Sequence, residues 1–487
     1  MNYCVPEKCG VSTELIYKYI NHLNDAGLST HSVIIARGNN VIFEKYWEPF
    51  ERDFLHRLYS VTKSFVAIAI GFLWQDGKIN LDDPISVYFP EETAKNPDEN
   101  IRKQTIRHMM GMRSAFPKAY PNWFKTSPED RVLDYFTNNS GALYPSGTLF
   151  RYDSTGSFVL GALVERVTGM KIVDYLYEKF LAKLGVEGAY ALECPGGHSW
   201  MDSALLMRPI DLMKVSMFLL NGGEWNGEQL LDREFINEAV SKLVSTDAYG
   251  ASNISEYGYG YLIWRMRENS FFLNGMGCQL AVIAPEKDMI LVYNGDNQGN
   301  DLAKSKIIDG FFDIVYSEVK DEELPHYKGE SVPNQKLFYL KGNYTSSLVE
   351  KIKNKTYVLD KNPMGISEFT IGFENGEGSF RYVNATGEKT IHFGLGKNVF
   401  EKFPEEGYSD KVGSKRAPGN KYDSAVSASF PAEDQLLIRV QIIDKYFGNL
   451  AMLFAFKDDI VVLEMKKCAE DFLEEYKGIA VGKIKAL

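Results

Sequence analysis

The sequence predicts an α+β fold for the longer, N-terminal part of the chain and a small all-β domain for the remainder. Helical and strand-like patterns are mixed from residue 12 to residue 320, whereas short β-prone runs separated by turn residues fill the part beyond residue 336. A chain of 487 residues also exceeds one ordinary hydrophobic core. Two domains are therefore expected.

The first elements have the patterns of a helix, a hairpin and a long buried helix. Apolar residues recur at helical spacing over 12–26, and two β-prone runs, 32–36 and 41–47, flank a Gly-Asn-Asn turn. A continuous apolar run then predicts a helix over Ser60–Gln75. Helical patterns dominate from Ile101 to Val240.

Strand-like runs occur again after these helices. This order predicts a sheet whose strands come from both ends of the first domain. The strand-like runs are Gly258–Arg265, Phe271–Leu273, Leu280–Ile283 and Met289–Tyr293, and a last helix is predicted near Asp301–Lys320.

A charged, proline-bearing stretch at 321–333 separates the two patterns. We expect a first domain over 1–322, a linker over 323–335 and a β-rich barrel or sandwich over 336–487. The strands expected in it are Leu337–Leu340, Thr356–Leu359, Phe369–Phe373, Phe380–Val383, Thr390–Phe393, Leu436–Ile442, Leu450–Phe456 and Ile460–Glu464, with hairpin turns at Glu374–Gly376 and Ala385–Gly387.

Composition excludes several classes of protein. A net charge of −11 argues against nucleic acid or an anionic membrane as partner. The longest apolar stretch, Phe65–Trp74, is too short to span a bilayer, and the N-terminus lacks the pattern of a secretory signal. Five scattered cysteines and seven single histidines favour a reducing, cytoplasmic location without a metal site. No cofactor is expected.

The most informative motif is Ser60-Val61-Thr62-Lys63, at the start of the predicted buried helix. A lysine three residues after a serine lies on the same helix face, and a lysine among apolar side chains is easier to deprotonate. Such a pair supplies a nucleophile and its base. The same spacing arises by chance about once or twice in a chain of this length; the second copy, Ser317–Lys320, lies in a charged stretch that predicts exposed surface.

Two later segments carry partners for Ser60. Tyr152 lies in a loop before another apolar helical run, where a nearby lysine would let its phenolate hold or accept the serine proton. The small residues of Gly275-Met276-Gly277-Cys278 let the backbone approach a substrate, and a backbone N–H there can donate to an oxyanion. Between the Ser60 motif and Tyr152, Trp123 and Phe124 either cap a pocket or pack on their own domain.

Taken in order, these motifs resemble the serine β-lactamase and penicillin-binding-protein family, in particular its class C β-lactamase, D-peptidase and esterase branch, over roughly residues 10–320. The resemblance also rests on five further segments: Gly77–Ile85, Thr105–Met112, Tyr144–Gly147, Met207–Leu212 and Leu220–Gly227. It implies a β-lactamase/transpeptidase-like domain, with an antiparallel sheet flanked by helices.

The resemblance also implies acyl transfer to water through a covalent serine ester. By this analogy Ser60 is the nucleophile, and Lys63 and Tyr152 share general acid/base duty. The backbone N–H groups of Ser60 and Cys278 would form the oxyanion hole. The implied oxyanion and substrate-binding residues are Ser154, Gly275, Met276, Gly277 and Cys278, without a metal.

Two positions depart from the family pattern. Ser154 stands where asparagine is usual. The serine hydroxyl offers one hydrogen-bond donor in place of the asparagine amide group. Gly275 stands where a lysine or histidine is usual, so that a substrate carboxylate loses its most direct partner. We expect a serine hydrolase acting on a small or moderate-sized ester, amide or short peptide. The alternatives are a D-amino-acid peptidase or β-lactamase, and a catalytically degenerate binding protein; the oligomeric state is left open.

Overall fold

The chain forms two compact units. The computed structural model describes residues 1–96, 98–115, 130–137, 142, 144–247, 257–413, 415–470 and 472–485. The first unit comprises Met1–Lys336 with Asp410–Gly413, and the second comprises Leu337–Ser409 and Ser414–Leu487. The domain bounds expected from the sequence, with a linker over 323–335, stay a prediction.

The first unit contains both helices and strands, with α2 to α8 in succession between the first strands and the later ones. Its described helices are α1 (Thr13–Asp25), α2 (Thr62–Gln75), α3 (Pro90–Ala94), α4 (Glu99–Lys103), α5 (Ile106–Met110), α6 (Arg131–Thr137), α7 (Ser154–Thr168), α8 (Ile172–Leu176), α9 (Pro209–Leu220), α10 (Arg233–Ala239) and α11 (Ala303–Ile314). Its described strands are β1 (Asn2–Tyr3), β2 (Thr30–Arg37), β3 (Asn40–Glu48), β4 (His56–Arg57), β5 (Tyr190–Ala191), β6 (Leu205–Met207), β7 (Glu224–Trp225), β8 (Glu228–Gln229), β9 (Trp264–Arg265), β10 (Phe271–Gly275), β11 (Gln279–Ala284), β12 (Met289–Gly295) and β13 (Gln335–Lys336).

The main sheet confirms the prediction that strands from both ends of the domain meet. Its order is β1-β3-β2-β12-β11-β10-β9, with β13 paired to β3. The N-terminal strand β2 lies antiparallel to the C-terminal strand β12, with Ile35 opposite Leu291. Strands β11 and β12 are buried along their whole length, which explains their continuous apolar runs.

The long apolar helix predicted over Ser60–Gln75 begins slightly later. Residues Tyr59–Val61 form a 3₁₀ turn, and α2 follows from Thr62. Every residue of α2 from Thr62 to Leu73 is buried, as expected for a helix that is apolar on all sides. The first helix, α1, is amphipathic instead, and Ser12 caps it by accepting a hydrogen bond from the Leu15 N–H.

Two strand predictions were wrong. The run Gly258–Arg265 forms a strand only at Trp264–Arg265, because Gly258 (φ +115°) and Leu262 (φ +54°) take backbone conformations that interrupt an extended chain. Leu337–Leu340 is not a strand; the pairing segment is β13, just before it, which runs parallel to β3.

The second unit is a β-barrel with one short helix, α12 (Leu348–Ile352). Its strands are β14 (Thr356–Leu359), β15 (Glu368–Glu374), β16 (Glu377–Asn384), β17 (Gly387–Leu395), β18 (Val399–Tyr408), β19 (Arg416–Ala432), β20 (Gln435–Ile443), β21 (Phe447–Lys457), β22 (Ile460–Ala469) and β23 (Gly478–Ile484). The order is β17-β16-β15-β14-β23-β22-β21-β20-β19-β18, and a β17–β19 pairing closes the sheet. The sequence did not predict β18, β19 and β23. Glycines and charged residues in these strands interrupt the alternation of apolar and polar residues that predicts a strand.

Candidate active site

Ser60 lies in a tightly held turn at the start of α2. Its neighbour Tyr59 has φ +47°, an uncommon conformation for a residue with a side chain. The Leu58 N–H donates to the Leu205 carbonyl at 2.8 Å, and β4 pairs with β6 just before this turn. Ser60 itself is half-buried. The turn is therefore anchored by β6, and the Ser60 side chain is left at the surface of the packed core.

Lys63 lies within hydrogen-bonding distance of the Ser60 hydroxyl. Its Nζ donates to Ser60 Oγ at 3.0 Å and to the backbone carbonyl of Asp202 at 2.5 Å. The lysine is only 1% exposed. Two fixed acceptors and the surrounding core hold the amine in one position beside Ser60.

The Tyr152 ring also lies close to the lysine. The Lys63 Nζ is 5.2 Å from the centroid of the Tyr152 ring, and this ring stacks on Trp264 with centroids 5.8 Å apart. The backbone on both sides of Tyr152 bonds to Met112. The Arg151 N–H donates to the Met112 carbonyl at 2.8 Å, and the Asp153 N–H donates to Met112 Sδ at 3.1 Å. The structure thus brings Ser60, Lys63 and Tyr152 together.

The residues after Tyr152 start the helix α7, which packs against α2. Asp153 caps α7 by accepting from the Thr155 N–H at 3.0 Å, and it also accepts from Ser114 Oγ at 3.1 Å and Tyr135 Oη at 3.3 Å. Burial raises the pKa of this carboxyl above its ordinary value. Ser154, the first residue of the helix, is half-buried beside this network.

The segment Gly275–Cys278, called the third motif, lies against the turn that carries Ser60. Gly275 ends β10, and a Cβ at this position would stand 2.3 Å from the Leu58 carbonyl oxygen. A lysine at 275 therefore does not fit without moving the backbone, so the missing family cation cannot be restored there. Met276, next along the turn, is 38% exposed.

Cys278 has φ +72° and is buried, and burial raises the pKa of its thiol to about 12. The thiol therefore stays protonated near neutral pH and is not a second nucleophile. The backbone N–H of Cys278 stays a predicted oxyanion donor. Within the turn, the Gly277 carbonyl accepts from the Asn297 N–H at 3.1 Å.

Sequence reasoning missed two contributors. Asp202 acts through its backbone carbonyl, a group that every residue type has, so the sequence gives no signal for it. Trp264 was predicted only as part of a strand. Trp123 and Phe124 lie outside the described residues. Among the described residues, no cluster of three or more His, Cys, Asp or Glu side chains could hold a metal ion, and no helix has the length and apolar character needed to cross a membrane.

The comparison with known families agrees with this geometry. The Beta-lactamase family model matches residues 18–306, which is more than half of the chain and includes all three clustered residues. The chain belongs to the beta-lactamase family. Its members include hydrolases, and the match covers the first unit rather than the barrel.

Two relatives are similar in sequence. The 6-aminohexanoate-dimer hydrolase of Paenarthrobacter ureafaciens is 24% identical over 283 residues, which is 54% of this chain and 71% of that protein. Beta-lactamase-like protein 2 of Dictyostelium discoideum is 22% identical over 425 residues, covering 76% of this chain and 73% of that protein.

Two solved structures share the fold. The octameric penicillin-binding protein homologue from Pyrococcus abyssi superposes with a TM-score of 0.50 at 16% identity, covering 96% of this chain and 99% of that one. EstCE1, a hydrolase with promiscuous acyltransferase activity, superposes with a TM-score of 0.51 at 15% identity, covering 61% of this chain and 99% of that one. At these identities the likeness is one of fold alone.

Proposed function

We propose that this chain is a serine hydrolase that forms an acyl-enzyme at Ser60 and hydrolyses an uncharged ester or amide of small to moderate size. The observation that carries the proposal is the 3.0 Å hydrogen bond between the buried Lys63 amine and Ser60 Oγ. Over this distance a proton passes directly between the two atoms, as activation of a serine nucleophile requires.

In the acylation step, Ser60 Oγ attacks the carbonyl carbon of the substrate and its proton passes to Lys63 or Tyr152. The same groups then return the proton to the leaving alcohol or amine, whose bond to the carbonyl carbon breaks. In the second step the oxygen of a water molecule attacks the acyl carbon, and the ester bond between this carbon and Ser60 Oγ breaks. The water proton passes through the same groups to Ser60 Oγ. Tyr152 supports this relay because its ring lies beside Lys63 Nζ.

The lack of a positively charged side chain in the third motif favours a neutral substrate. The segment Leu273–Cys278 contains no Lys, Arg or His. A substrate carboxylate gains most from a charge-assisted hydrogen bond, and this segment offers none from a side chain. One relative is a hydrolase of a 6-aminohexanoate dimer, which supports an amide as well as an ester as the bond that is broken.

Intact-mass spectrometry tests the proposal directly. The protein is treated with a fluorophosphonate and, in a separate sample, with penicillin. We expect one fluorophosphonate adduct on the unaltered protein and on Ser317→Ala, and none on Ser60→Ala. Ser317 is a matched control because it has the same Ser-x-x-Lys spacing on an exposed surface, with its hydroxyl bonded to the Asp313 carbonyl.

The possible results separate the alternatives. An adduct on Ser60→Ala of the same stoichiometry would contradict the proposed nucleophile. No adduct on the unaltered protein would favour a binding protein without turnover. Rapid acylation by penicillin would favour a β-lactamase or D-amino-acid peptidase, and the neutral-substrate part of the proposal would then be wrong.

A further inference from the structure

We propose that Arg57 is a positioning residue for the acyl transfer at Ser60, an inference that rests on the function proposed above. Its guanidinium joins the turn that carries the nucleophile to the turn that holds the Lys63 amine. Arg57 lies on β4, three residues before Ser60, and is 0% exposed. A side chain buried to this extent does not touch a substrate, so it acts only through the groups that it contacts.

The turn that holds Lys63 comprises residues 200–204 and is called the lysine-holding turn. It is closed by a hydrogen bond from the Ala204 N–H to the Trp200 carbonyl at 2.9 Å. Asp202 lies in its middle, and the Asp202 carbonyl accepts from Lys63 Nζ at 2.5 Å. The position of this carbonyl, and with it that of the amine, therefore depends on how the lysine-holding turn is held.

Arg57 contacts the lysine-holding turn and the turn that carries the nucleophile at once. Its Nε donates to the carbonyl of Ser203, the residue after Asp202, at 3.0 Å. Its guanidinium carbon lies 4.5 Å from the centroid of the Tyr59 ring and 4.9 Å from that of the Trp200 ring. A cation is attracted to an aromatic ring at such distances. One side chain thus links the neighbour of the nucleophile to the residues around the Asp202 carbonyl.

The pairing of β4 with β6 does not by itself fix the lysine-holding turn. The backbone of Arg57 pairs with Leu206, and the Leu58 N–H donates to the Leu205 carbonyl, so both contacts lie after the turn. The Arg57 side chain extends this connection back to Ser203, inside the turn.

The bond to Ser203 distinguishes Arg57 from a second buried arginine. Arg131 also covers the Trp200 ring, at 5.6 Å, but it donates to Cys194 Sγ, outside the lysine-holding turn. A guanidinium is planar, so that it donates in its plane while its faces cover aromatic rings, whereas an ammonium has a single nitrogen and no flat face. We therefore expect that a lysine does not replace Arg57.

Steady-state kinetics with p-nitrophenyl acetate on the full chain test the inference. Arg57→Lys should lower kcat about tenfold or more, because a displacement of about 1 Å at the reacting groups costs up to about 10²-fold. KM should stay within about twofold, because the buried side chain does not touch the substrate. Arg57→Met buries no charge and should give the same loss, so it takes the place of Arg57→Lys if a buried ammonium prevents folding.

The matched control is Arg166→Lys. Arg166 makes the same two kinds of contact, because it covers the Phe89 ring at 4.3 Å and donates to the Tyr88 carbonyl at 3.0 Å. It lies in the last turn of α7, about 18 Å along the helix axis from the end that follows Tyr152. The control should leave kcat unchanged. Circular dichroism gives the folded fraction of each variant, so that kcat is expressed per folded molecule.

A double-mutant cycle with Lys63 separates positioning from a general effect on the fold. In the Lys63→Ala background, Arg57→Lys should cause no further loss of kcat, because its effect passes through the Lys63 amine. A general effect on the fold would lower kcat by the same factor in both backgrounds.

Two kinetic results overturn the inference. One is a kcat of Arg57→Lys and Arg57→Met within about twofold of the unaltered protein, and the other is an equal loss in the Lys63→Ala background. Near-normal turnover by Ser60→Ala in the same assay contradicts the proposed function instead.

A crystal structure of the Arg57 variant gives a result that does not depend on turnover. The distance from Lys63 Nζ to the Asp202 carbonyl should grow beyond the hydrogen-bonding range of about 3.5 Å. A distance that stays at 2.5 Å overturns the inference, whatever the activity of the unaltered protein.

Discussion

At the scale of single residues, the site combines one local contact with several distant ones. Lys63 reaches Ser60 because three residues make nearly one helical turn, so that local geometry alone brings amine and hydroxyl together. The amine is then oriented by the Asp202 carbonyl and faces the Tyr152 ring. Both partners come from elements far away along the chain.

The proposed proton relay predicts the effect of removing each member. Lys63→Ala and Tyr152→Phe should each lower kcat for a neutral activated ester by about 10²-fold or more, the usual effect of losing general acid/base help. Steady-state kinetics with p-nitrophenyl acetate measure this, with Ser317→Ala as control. Near-normal turnover by Tyr152→Phe would remove the tyrosine from the relay.

Gly275 is predicted to be needed for the position of Ser60. In Gly275→Ala the new methyl group must push against the Leu58 carbonyl, which stands 2.3 Å from it, two residues before the nucleophile. We expect a loss of about 1–3 kcal/mol in the free energy of unfolding, as in other overpacked sites, together with a loss of turnover.

The control is Gly169→Ala, at the end of α7. Gly169 has φ +70° but no atom within 4 Å of a new Cβ, so alanine there should lower stability and leave turnover intact. If Gly275→Ala keeps full turnover, the close approach of the third motif has no bearing on catalysis.

Met276 is predicted to control preference for charged substrates. It is exposed on the turn directly after Gly275, so that a longer polar side chain can be placed there without overlap. Met276→Lys should raise kcat/KM for a carboxylate-bearing ester about tenfold relative to a neutral one, because it supplies a charge-assisted hydrogen bond. Met276→Gln is the neutral control. Equal ratios in both variants would show that the charge at this turn does not reach the substrate.

At the scale of elements, a buried histidine pair joins β2 to the strand that precedes Ser60. His31 Nδ1 and His56 Nε2 are 3.3 Å apart, and the His31 ring stacks on Phe50 with centroids 3.8 Å apart. Burial lowers the pKa of both rings, that of His56 to about 3. Both rings are therefore neutral in the folded protein at pH values where a free histidine takes up a proton.

The pair predicts that the first unit loses stability in mild acid. The unfolded chain takes up a proton at each histidine near pH 6.5, and the folded chain does not, so the stability present above pH 6.5 falls as the pH drops. Between about pH 7.5 and about pH 5.5 each histidine should lower the free energy of unfolding by about 1 kcal/mol.

Urea unfolding followed by tryptophan fluorescence measures this loss. All six tryptophans precede residue 337, so the signal reports the first unit. His31→Gln and His56→Gln should each reduce the pH dependence, and the double variant should remove both contributions. A double variant that keeps the full dependence would assign it to other groups.

At the scale of the whole molecule, the two units are predicted to separate under limited proteolysis. Residues 323–334 have no regular secondary structure and are mostly exposed, and Lys328 lies among them. Trypsin should therefore release a stable C-terminal fragment that begins at Gly329, identified by N-terminal sequencing. Lys328→Gln should abolish this fragment. A first stable cut inside the β-rich region would show that the boundary is misplaced.

The sequence by itself determined those features that depend on neighbours along the chain. The burial of α2 follows from an apolar run, and the Ser60–Lys63 contact follows from helical spacing. The strands β11 and β12 follow from apolar runs between turn residues, and the order of motifs indicated the family. Local backbone geometry and hydrophobic pattern are enough for each of these.

Only the tertiary structure decided which distant groups meet. The stacking of Tyr152 on Trp264, the approach of Gly275 to Leu58 and the bond from Lys63 to the Asp202 carbonyl join segments far apart in sequence. The last of these uses a backbone atom, which every residue type provides. Such contacts depend on how elements pack, and no periodicity within a single element records that packing.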